Sequence, residues 1–263
     1  MLKNHTGKIT RKEIWGDDYF LLSLEAPDIS RESQPGQFVM VRTSTDPYPL
    51  LRRPFSIHGR NGSHIDIFFQ KTGIGTSLLS QKQKGDPLEI LGPLGNGFLL
   101  EDGTESKKVS LIGGGRGIAP LYFLAQELNK NQSKVRIFYG GRSSKDIPLL
   151  SKFKKENIET LCSTEDGSTG FQGLVTELFE QEMNSEPPSL ICACGPDGML
   201  KKVSQISEKN HIPAELSLES IMGCGFGACW GCVKKIKKEN IKQWQKICEE
   251  GPVFWAHEIV WDE

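Results

Sequence analysis

Val109-Ser-Leu-Ile-Gly-Gly-Gly-Arg-Gly-Ile-Ala-Pro-Leu121 decides the fold: a short, mostly apolar strand runs through glycines into a helix with proline in its first turn. Leu121, Leu124, Ala125 and Leu128 continue at i, i+3, i+4 and i+7, one apolar helical stripe. A strand entering a helix through glycines presents free backbone N–H groups, a geometry that cradles a phosphate or a dinucleotide pyrophosphate. Gly113, Gly114, Gly115 and Gly117 are therefore candidate nucleotide-binding residues. Their spacing departs from G-x-G-x-x-G/A, so an ordinary Rossmann dehydrogenase is not indicated. Arg116 is an unusual side chain for such a loop and either contacts phosphate or faces water.

Downstream the same rhythm continues. Apolar strands at Val135–Tyr139, Ile158–Ser163 and Leu190–Cys194 alternate with helical stretches, which predicts a parallel sheet with helices on both faces over residues 103–212. Asp197 is expected to cap a helix that buries Met199, Leu200, Val203 and Ile206. In Cys192-Ala-Cys-Gly-Pro-Asp-Gly-Met199, Cys194 closes the last of these strands. Ligands bind at such carboxyl ends in open α/β sheets, so Cys194 is a candidate catalytic residue; the plainer alternative is a packed thiol, as expected for Cys192. Arg142 follows the second strand, where ribose selectivity is decided: an arginine there accepts a 2′-phosphate, or is simply a surface residue.

Upstream, residues 1–102 read as short strands broken by Gly, Pro and Asp turns, among them Tyr19–Glu25, Gln37–Arg42 and His64–Gln70. Their alternation predicts a small antiparallel β-barrel with one short helix near Thr76–Gln83, stopping at Gly85. Arg52-Arg-Pro-Phe-Ser-Ile57 opens one strand. The Arg53 guanidinium can pair with a pyrophosphate, Pro54 fixes the chain beside it, and Ser56 can hydrogen-bond a flat heteroaromatic edge. Gly73-Ile-Gly-Thr-Ser77 then opens the helix with free N–H groups. Each motif is weak alone; in this order, about twenty residues apart within a small barrel, they inform one another.

Residues 213–263 follow neither pattern. Cys224, Cys229 and Cys232 give C-x4-C-x2-C, and Cys248 follows after fifteen residues. The first three match a plant-type [2Fe–2S] spacing. Gly223, Gly225, Gly227 and Gly231 are expected to supply positive-φ positions so that the loop can wrap a cluster and aim N–H groups at its sulfurs. A zinc site is the alternative, but structural zinc more often uses two short knuckles around a longer spacer. The Lys234, Lys235, Lys237, Lys238 run reads as a solvated hairpin edge, and Val253–Val260 as a closing strand.

The bulk numbers agree with a globular protein of several modules: 263 residues, 37% hydrophobic and 25% charged. A net charge of −1 gives no pull toward nucleic acid or an anionic membrane. No apolar run is long enough to span a membrane, and the start has no signal-peptide core, so a cytoplasmic location is expected. Seven cysteines, four of them in the last forty residues, suit a metal centre better than a disulfide framework.

Arg53-Pro-Phe-Ser56 followed by Gly75-Thr76, with Gly113–Pro120 and Cys194-Gly-Pro196, resembles the ferredoxin–NADP reductase superfamily. That resemblance implies an FAD-binding barrel contacted by Arg53, Pro54, Phe55, Ser56, Gly75 and Thr76, with the strand Phe68, Phe69 and Gln70 lying along the flavin. It also implies that Cys194 lies near the reactive nicotinamide carbon. The order barrel, nucleotide domain, then C-x4-C-x2-C-x15-C narrows it further. Together with Thr164–Gly170, Gly173–Thr176 and Cys248–Phe254, it resembles the electron transfer subunits of type B dihydroorotate dehydrogenase over essentially the whole chain. The resemblance implies one FAD and one [2Fe–2S] cluster held by Cys224, Cys229, Cys232 and Cys248, with NAD(H) as exchangeable substrate. It implies an FMN-containing catalytic partner that oxidises dihydroorotate in pyrimidine (UMP) biosynthesis, in a heterotetramer of two catalytic and two electron transfer subunits. The partner is expected to dock around Phe226, Ala228 and Trp230. Rival readings are the flavin subunit of another complex, such as an NADH-dependent ferredoxin:NADP oxidoreductase or an anaerobic sulfite reductase, and a zinc-stabilised nucleotide-binding regulator.

Overall fold

The computed structural model describes residues 3–99, 107–239 and 241–261. The expected boundary at 102/103 lies outside the described residues. In the first segment β1 (Lys3–Trp15), β2 (Tyr19–Glu25), β3 (Phe38–Arg42), β4 (Arg53–Asn61), β5 (His64–Gln70) and β6 (Pro87–Leu94) close an antiparallel barrel in the order β1-β2-β5-β4-β3-β6. The alternation read from the sequence fills its interior: Ile9, Leu22, Leu24, Val39, Val41, Ile57, Ile65, Ile67 and Ile90 form one apolar cluster. Two helices sit in the connections, α1 (Pro27–Glu32) and α2 (Ile74–Gln81). The second begins and ends two residues earlier than predicted: Thr76 is its third residue, and Gly85, at φ +97°, belongs to the turn beyond it.

The second segment holds β7 (Lys108–Gly114), α3 (Ile118–Lys130), β8 (Lys134–Gly141), α4 (Leu150–Lys155), β9 (Thr160–Thr164), β10 (Phe171–Gln172), α5 (Val175–Met183), β11 (Leu190–Cys194), α6 (Asp197–Asn210) and β12 (Ala214–Ser217). A hairpin, β13 (Val233–Lys238) with β14 (Ile241–Lys246), and β15 (Val253–Trp255) follow. One sheet runs β10-β9-β8-β7-β11-β12-β15, parallel throughout except that β15 adds antiparallel to β12. The chain leaves β7 toward β8 and returns on its other side as β11, so the strand order reverses at the β7/β11 carboxyl ends. That reversal opens a crevice there.

Two local expectations give way to tertiary contacts. Asp197 does not cap α6; Pro196 holds the cap position, and the Asp197 carboxylate accepts Lys234 Nζ at 2.7 Å, tying helix to hairpin. The expected strand Val253–Val260 is extended only to Trp255 before a turn of 3₁₀-helix. The predicted stripe of α3 is buried, but so are Ala119, Tyr122 and Phe123 on its other side, because α3 lies between the sheet and the barrel strand β4. Phe123 packs within the barrel's own cluster. No helix among the described residues is long and apolar enough to cross a membrane.

Candidate functional site

A cleft of about 510 Å³ lies between barrel and sheet, at the strand-order reversal. It is lined by Arg53, Pro54, Phe55, Ser56, Phe68, Phe69, Gln70, Gly75 and Thr76 from the barrel, and by Arg116, Ala119 and Cys194 from the sheet side. Residues separated by well over a hundred positions in sequence thus share one wall.

Arg53 is held for an anion. Its Nη1 donates to the carbonyl oxygen of Leu51 at 2.7 Å, and no carboxylate among the described residues pairs with it. Gly75 packs closely: a Cβ there would stand 3.2 Å from Arg53 Cγ and 3.4 Å from Thr43 Oγ1. The Thr43 hydroxyl is buried with no partner, beside the first turn of α2. Thr76 Oγ1 accepts the N–H groups of Thr72 and Gly73 at 2.9 and 3.0 Å, so its hydroxyl shapes the turn that leaves the helix's first N–H groups free. An unneutralised guanidinium beside a helix start fits a pyrophosphate. Phe55, Phe68 and Phe69 reach the cleft but are almost wholly buried; Phe69 stacks on Phe20 and meets Phe55 edge-on, so these rings wall the site as much as they face it.

On the sheet side the glycines divide by function. Gly115 has φ +54° and open space around it, whereas a Cβ on Gly117 would fall 2.1 Å from the Cys194 carbonyl oxygen. Gly114 packs against Met199 and Pro196, and Gly113 against Ile118. None of the four lines the cleft; Gly117 lets the α3 start close onto the end of β11. Cys194 is buried at 3% exposure, and burial first, then the Glu219 charge, push its thiol well above its ordinary range, against a hydrogen bond with Ser217. Glu219 and Ser217 also line the cleft. The Glu219 carboxyl is pushed up by the surrounding protein, with Arg116 opposing. No motif marks these two; only the register that sets Ser217 beside Cys194 brings them in. Cys192 is a buried strand thiol, and Arg142 is exposed outside the cleft.

The cysteine loop presses on the barrel: a Cβ on Gly225 would meet Met40 Cγ of β3 at 2.4 Å. Gly225 and Gly227 take positive φ, +82° and +85°; the other left-handed residue in the loop is Trp230 at +58°, not Gly223 or Gly231. The thiols influence one another, Cys224 with Cys229, and Cys248 with both Cys232 and Cys224. Burial opposes ionisation of Cys224, but N–H groups of Phe226, Cys229 and Ala228 and the Cys229 thiol bring it down to about 7. Burial and the Cys232 thiol push Cys248 up to about 12, although Gly227 N–H donates to its sulfur at 3.1 Å. Among the described residues no group of three or more His, Cys, Asp or Glu side chains is drawn onto one point. Four mutually influencing thiols, with backbone N–H groups at Cys224 and Cys248, are the donor set of a binuclear iron–sulfur cluster. Ile221, Phe226 and Trp230 stand exposed around this loop, Ile221 at 89%.

Comparison with known proteins agrees with this geometry. Residues 219–260 match the family described as the iron–sulfur cluster binding domain of dihydroorotate dehydrogenase B, and residues 111–205 the oxidoreductase NAD-binding domain. The chain is 38% identical, over 100% of both chains, to a Desulforamulus reducens protein named dihydroorotate dehydrogenase B (NAD(+)), electron transfer subunit. A Geobacillus relative of the same name is 36% identical over 99% of this chain and 100% of its own. Among solved structures, a chain of an NADH-dependent reduced ferredoxin-NADP oxidoreductase superposes with TM-score 0.84 at 28% identity, covering 97% of this chain and 90% of that one. A Neisseria gonorrhoeae ferredoxin NADP+ reductase with bound FAD and NADP shares the fold, with TM-score 0.63 at 19% identity over 79% of this chain and 91% of that one.

Proposed function

The chain belongs to the family of dihydroorotate dehydrogenase B (NAD(+)) electron transfer subunits, and from that premise we propose that it relays electrons from a dihydroorotate-oxidising, FMN-containing partner subunit to NAD+ in pyrimidine (UMP) biosynthesis. One observation carries the reading: a single cleft joins the phosphate-ready barrel residues to Cys194, and the cysteine loop presses at Gly225 on Met40 of that same barrel. When bound, FAD supplies the exchange between single electrons and a hydride, and the [2Fe–2S] cluster supplies a one-electron relay.

The chain's own residues bind, orient and seal. Arg53 and the α2 start would hold the pyrophosphate, and Ser56 and Gln70 would offer polar contacts to the flavin. Phe55, Phe68 and Phe69 keep water from one side of the cleft. Cys194 keeps its proton on Sγ at neutral pH, because burial disfavours the thiolate, and so places a compact neutral group beside the nicotinamide. Cys224, Cys229, Cys232 and Cys248 would hold the cluster, with the loop's N–H groups directed at the sulfurs of Cys224 and Cys248. NAD(H) is the nicotinamide cofactor on the relatives' naming, and Arg142 is then a surface residue.

The proposal includes three modules, at 1–102, 103–212 and 213–263, the last lending β15 to the nucleotide sheet. It includes a heterotetramer of two catalytic and two electron transfer subunits, docked over Phe226, Ala228 and Trp230. A cytoplasmic location is supported by the thiols, which a cluster requires reduced. A second reading, the flavin subunit of an NADH-dependent ferredoxin:NADP oxidoreductase, is favoured by the TM-score of 0.84.

The test is the visible spectrum of anaerobically purified chain, with iron, sulfide, zinc and FAD assayed, titrated with NADH. An FAD and a binuclear iron–sulfur cluster per chain, bleached by NADH, are expected; dihydroorotate then reduces them only when the FMN subunit is added. A colourless zinc protein that takes up no FAD would overturn the reading, and reduction by ferredoxin but not by the FMN subunit would favour the second one.

A further inference from the structure

Strand β4 faces two ways along its length. Arg53 to Ser56 line the cleft, while the residues that follow turn to meet α3. At the join sits His58, fully buried. Its Nδ1 lies 2.9 Å from the carbonyl oxygen of Ala119, in the first turn of α3. A carbonyl only accepts, so Nδ1 carries the proton and donates. Nε2 is left as a buried acceptor without a partner. The ring stacks on Tyr122 of α3, with centroids 4.4 Å apart, and leans on Phe68 of β5 at 5.5 Å.

Ala119 and Phe68 both line the cleft, one from the sheet side and one from the barrel. From behind the wall, His58 therefore joins the two halves of the cleft to each other. An apolar side chain of similar size would fill the space without an orphaned nitrogen, which is unfavourable in a dry interior. What the imidazole adds is one directed bond, and with it a defined register of α3 along β4. Further along, Arg60 meets Glu127 at 3.4 Å and lies over the Phe123 ring at 5.5 Å; that pair is partly exposed and holds weakly.

We propose that His58 is a positioning residue that sets the register of α3 against β4, and so the distance between the nicotinamide and the flavin. The proposal rests on the reading of the cleft as the FAD and NAD(H) site. His58 touches neither cofactor; it acts through Ala119 and Phe68. Small displacements of reacting groups slow a reaction steeply, roughly a hundredfold for about 1 Å, so a lost register shows in the rate of hydride transfer before it shows in binding.

The experiment compares His58→Leu and His58→Asn in the full chain loaded with FAD and cluster. The asparagine amide N–H sits where Nδ1–H does; leucine has no donor. In single-turnover reduction by NADH, His58→Leu should keep its FAD and iron but transfer hydride about tenfold or more slowly, while His58→Asn stays within about threefold of wild type. In the unloaded chain, hydrogen exchange at amides 118–123 should speed up in His58→Leu and not in His58→Asn. A wild-type rate in His58→Leu would overturn the proposal, as would equal slowing in both variants with unchanged exchange. If His58→Leu does not fold, His58→Gln replaces it: its amide reaches the Nε2 position and should be slow, and a rate equal to that of His58→Asn overturns the proposal. A wild-type chain whose flavin NADH cannot reduce would instead sink the cleft assignment, and the exchange comparison would still decide whether His58 locks α3.

Discussion

Arg52 and Arg53 are adjacent and chemically identical, yet they serve opposite ends. Arg52 is ion-paired to Glu89 of β6 and donates to Asn4 Oδ1 of β1 at 3.1 Å, tying the approach to β4 across the β1–β6 edge. Arg53 meets only carbonyls and turns its charge to the cleft. Loss of a charge-assisted hydrogen bond costs about 1.5–3 kcal/mol, so Arg53→Ala should weaken FAD binding about 10- to 100-fold, while Arg52→Ala leaves it near wild type; fluorescence titration of the apoprotein measures both. His58 carries a second prediction. Burial, then the Lys152 charge, pull its pKa from 6.5 down to about 3. The folded pKa lies below the unfolded one, so between these values the unfolded chain binds the extra proton. Stability is therefore lost as pH falls from about 6.5 toward 3, by up to about 1.4 kcal/mol per pH unit. Denaturant unfolding of wild type and His58→Leu over that window should differ in slope by this single proton; parallel slopes would show the ring charging within the fold.

At the scale of elements, α3 shows what periodicity reveals and what it hides. Leu121, Leu124, Ala125 and Leu128 announce one apolar face, but Ala119, Tyr122 and Phe123 are equally buried because β4 covers the opposite side. A helix packed on two sides has no single stripe to read. The joint before it is tighter than the glycine run suggests. Gly117→Ala would drive a methyl into the Cys194 carbonyl oxygen, 2.1 Å away, and should destabilise the chain by roughly 2–4 kcal/mol. Gly115→Ala meets open space and bears only the strain of φ +54°, roughly 1 kcal/mol. Denaturant midpoints of the two variants, with unchanged m-values, would check the ordering.

Over the whole molecule, three kinds of structure meet at one place. The barrel brings the anion-ready wall, the sheet brings Cys194 at its reversal point, and the last segment returns to both, through β15 in the sheet and through the cysteine loop on Met40. Asn96 secures that return by donating from Nδ2 to the carbonyls of Glu249 and Glu250 at 3.1 and 3.0 Å. The loop's outer face carries Trp230, 58% exposed and left-handed, with Lys246 Nζ 4.8 Å from its ring. An aromatic held open in this way is a good anchor for a partner surface. Trp230→Ala should weaken the complex with the catalytic partner subunit about tenfold or more while iron and FAD contents stay constant; analytical ultracentrifugation reads the first, and metal analysis with the flavin absorbance the second. An unaltered complex would remove Trp230 from the docking face.

The linear order of residues determined most strands and the main helices of the sheet, the four-cysteine spacing and the barrel-then-sheet plan, because each depends on short-range periodicity or on glycines and cysteines at set intervals; it missed α1 and overran β15. It also identified Arg53, Cys194 and the four loop cysteines as residues to follow. Tertiary structure alone decided that Glu219 and Ser217 stand with Cys194, that Thr43 lies unpartnered beside Gly75, and that His58 joins the two walls of the cleft. It also moved the left-handed position from Gly231 to Trp230 and sent Asp197 to Lys234 rather than to its own helix cap. The reason is physical. Periodicity reports which face of an element is dry, but which other element dries it, and which polar groups meet or miss partners there, follows only when distant segments pack.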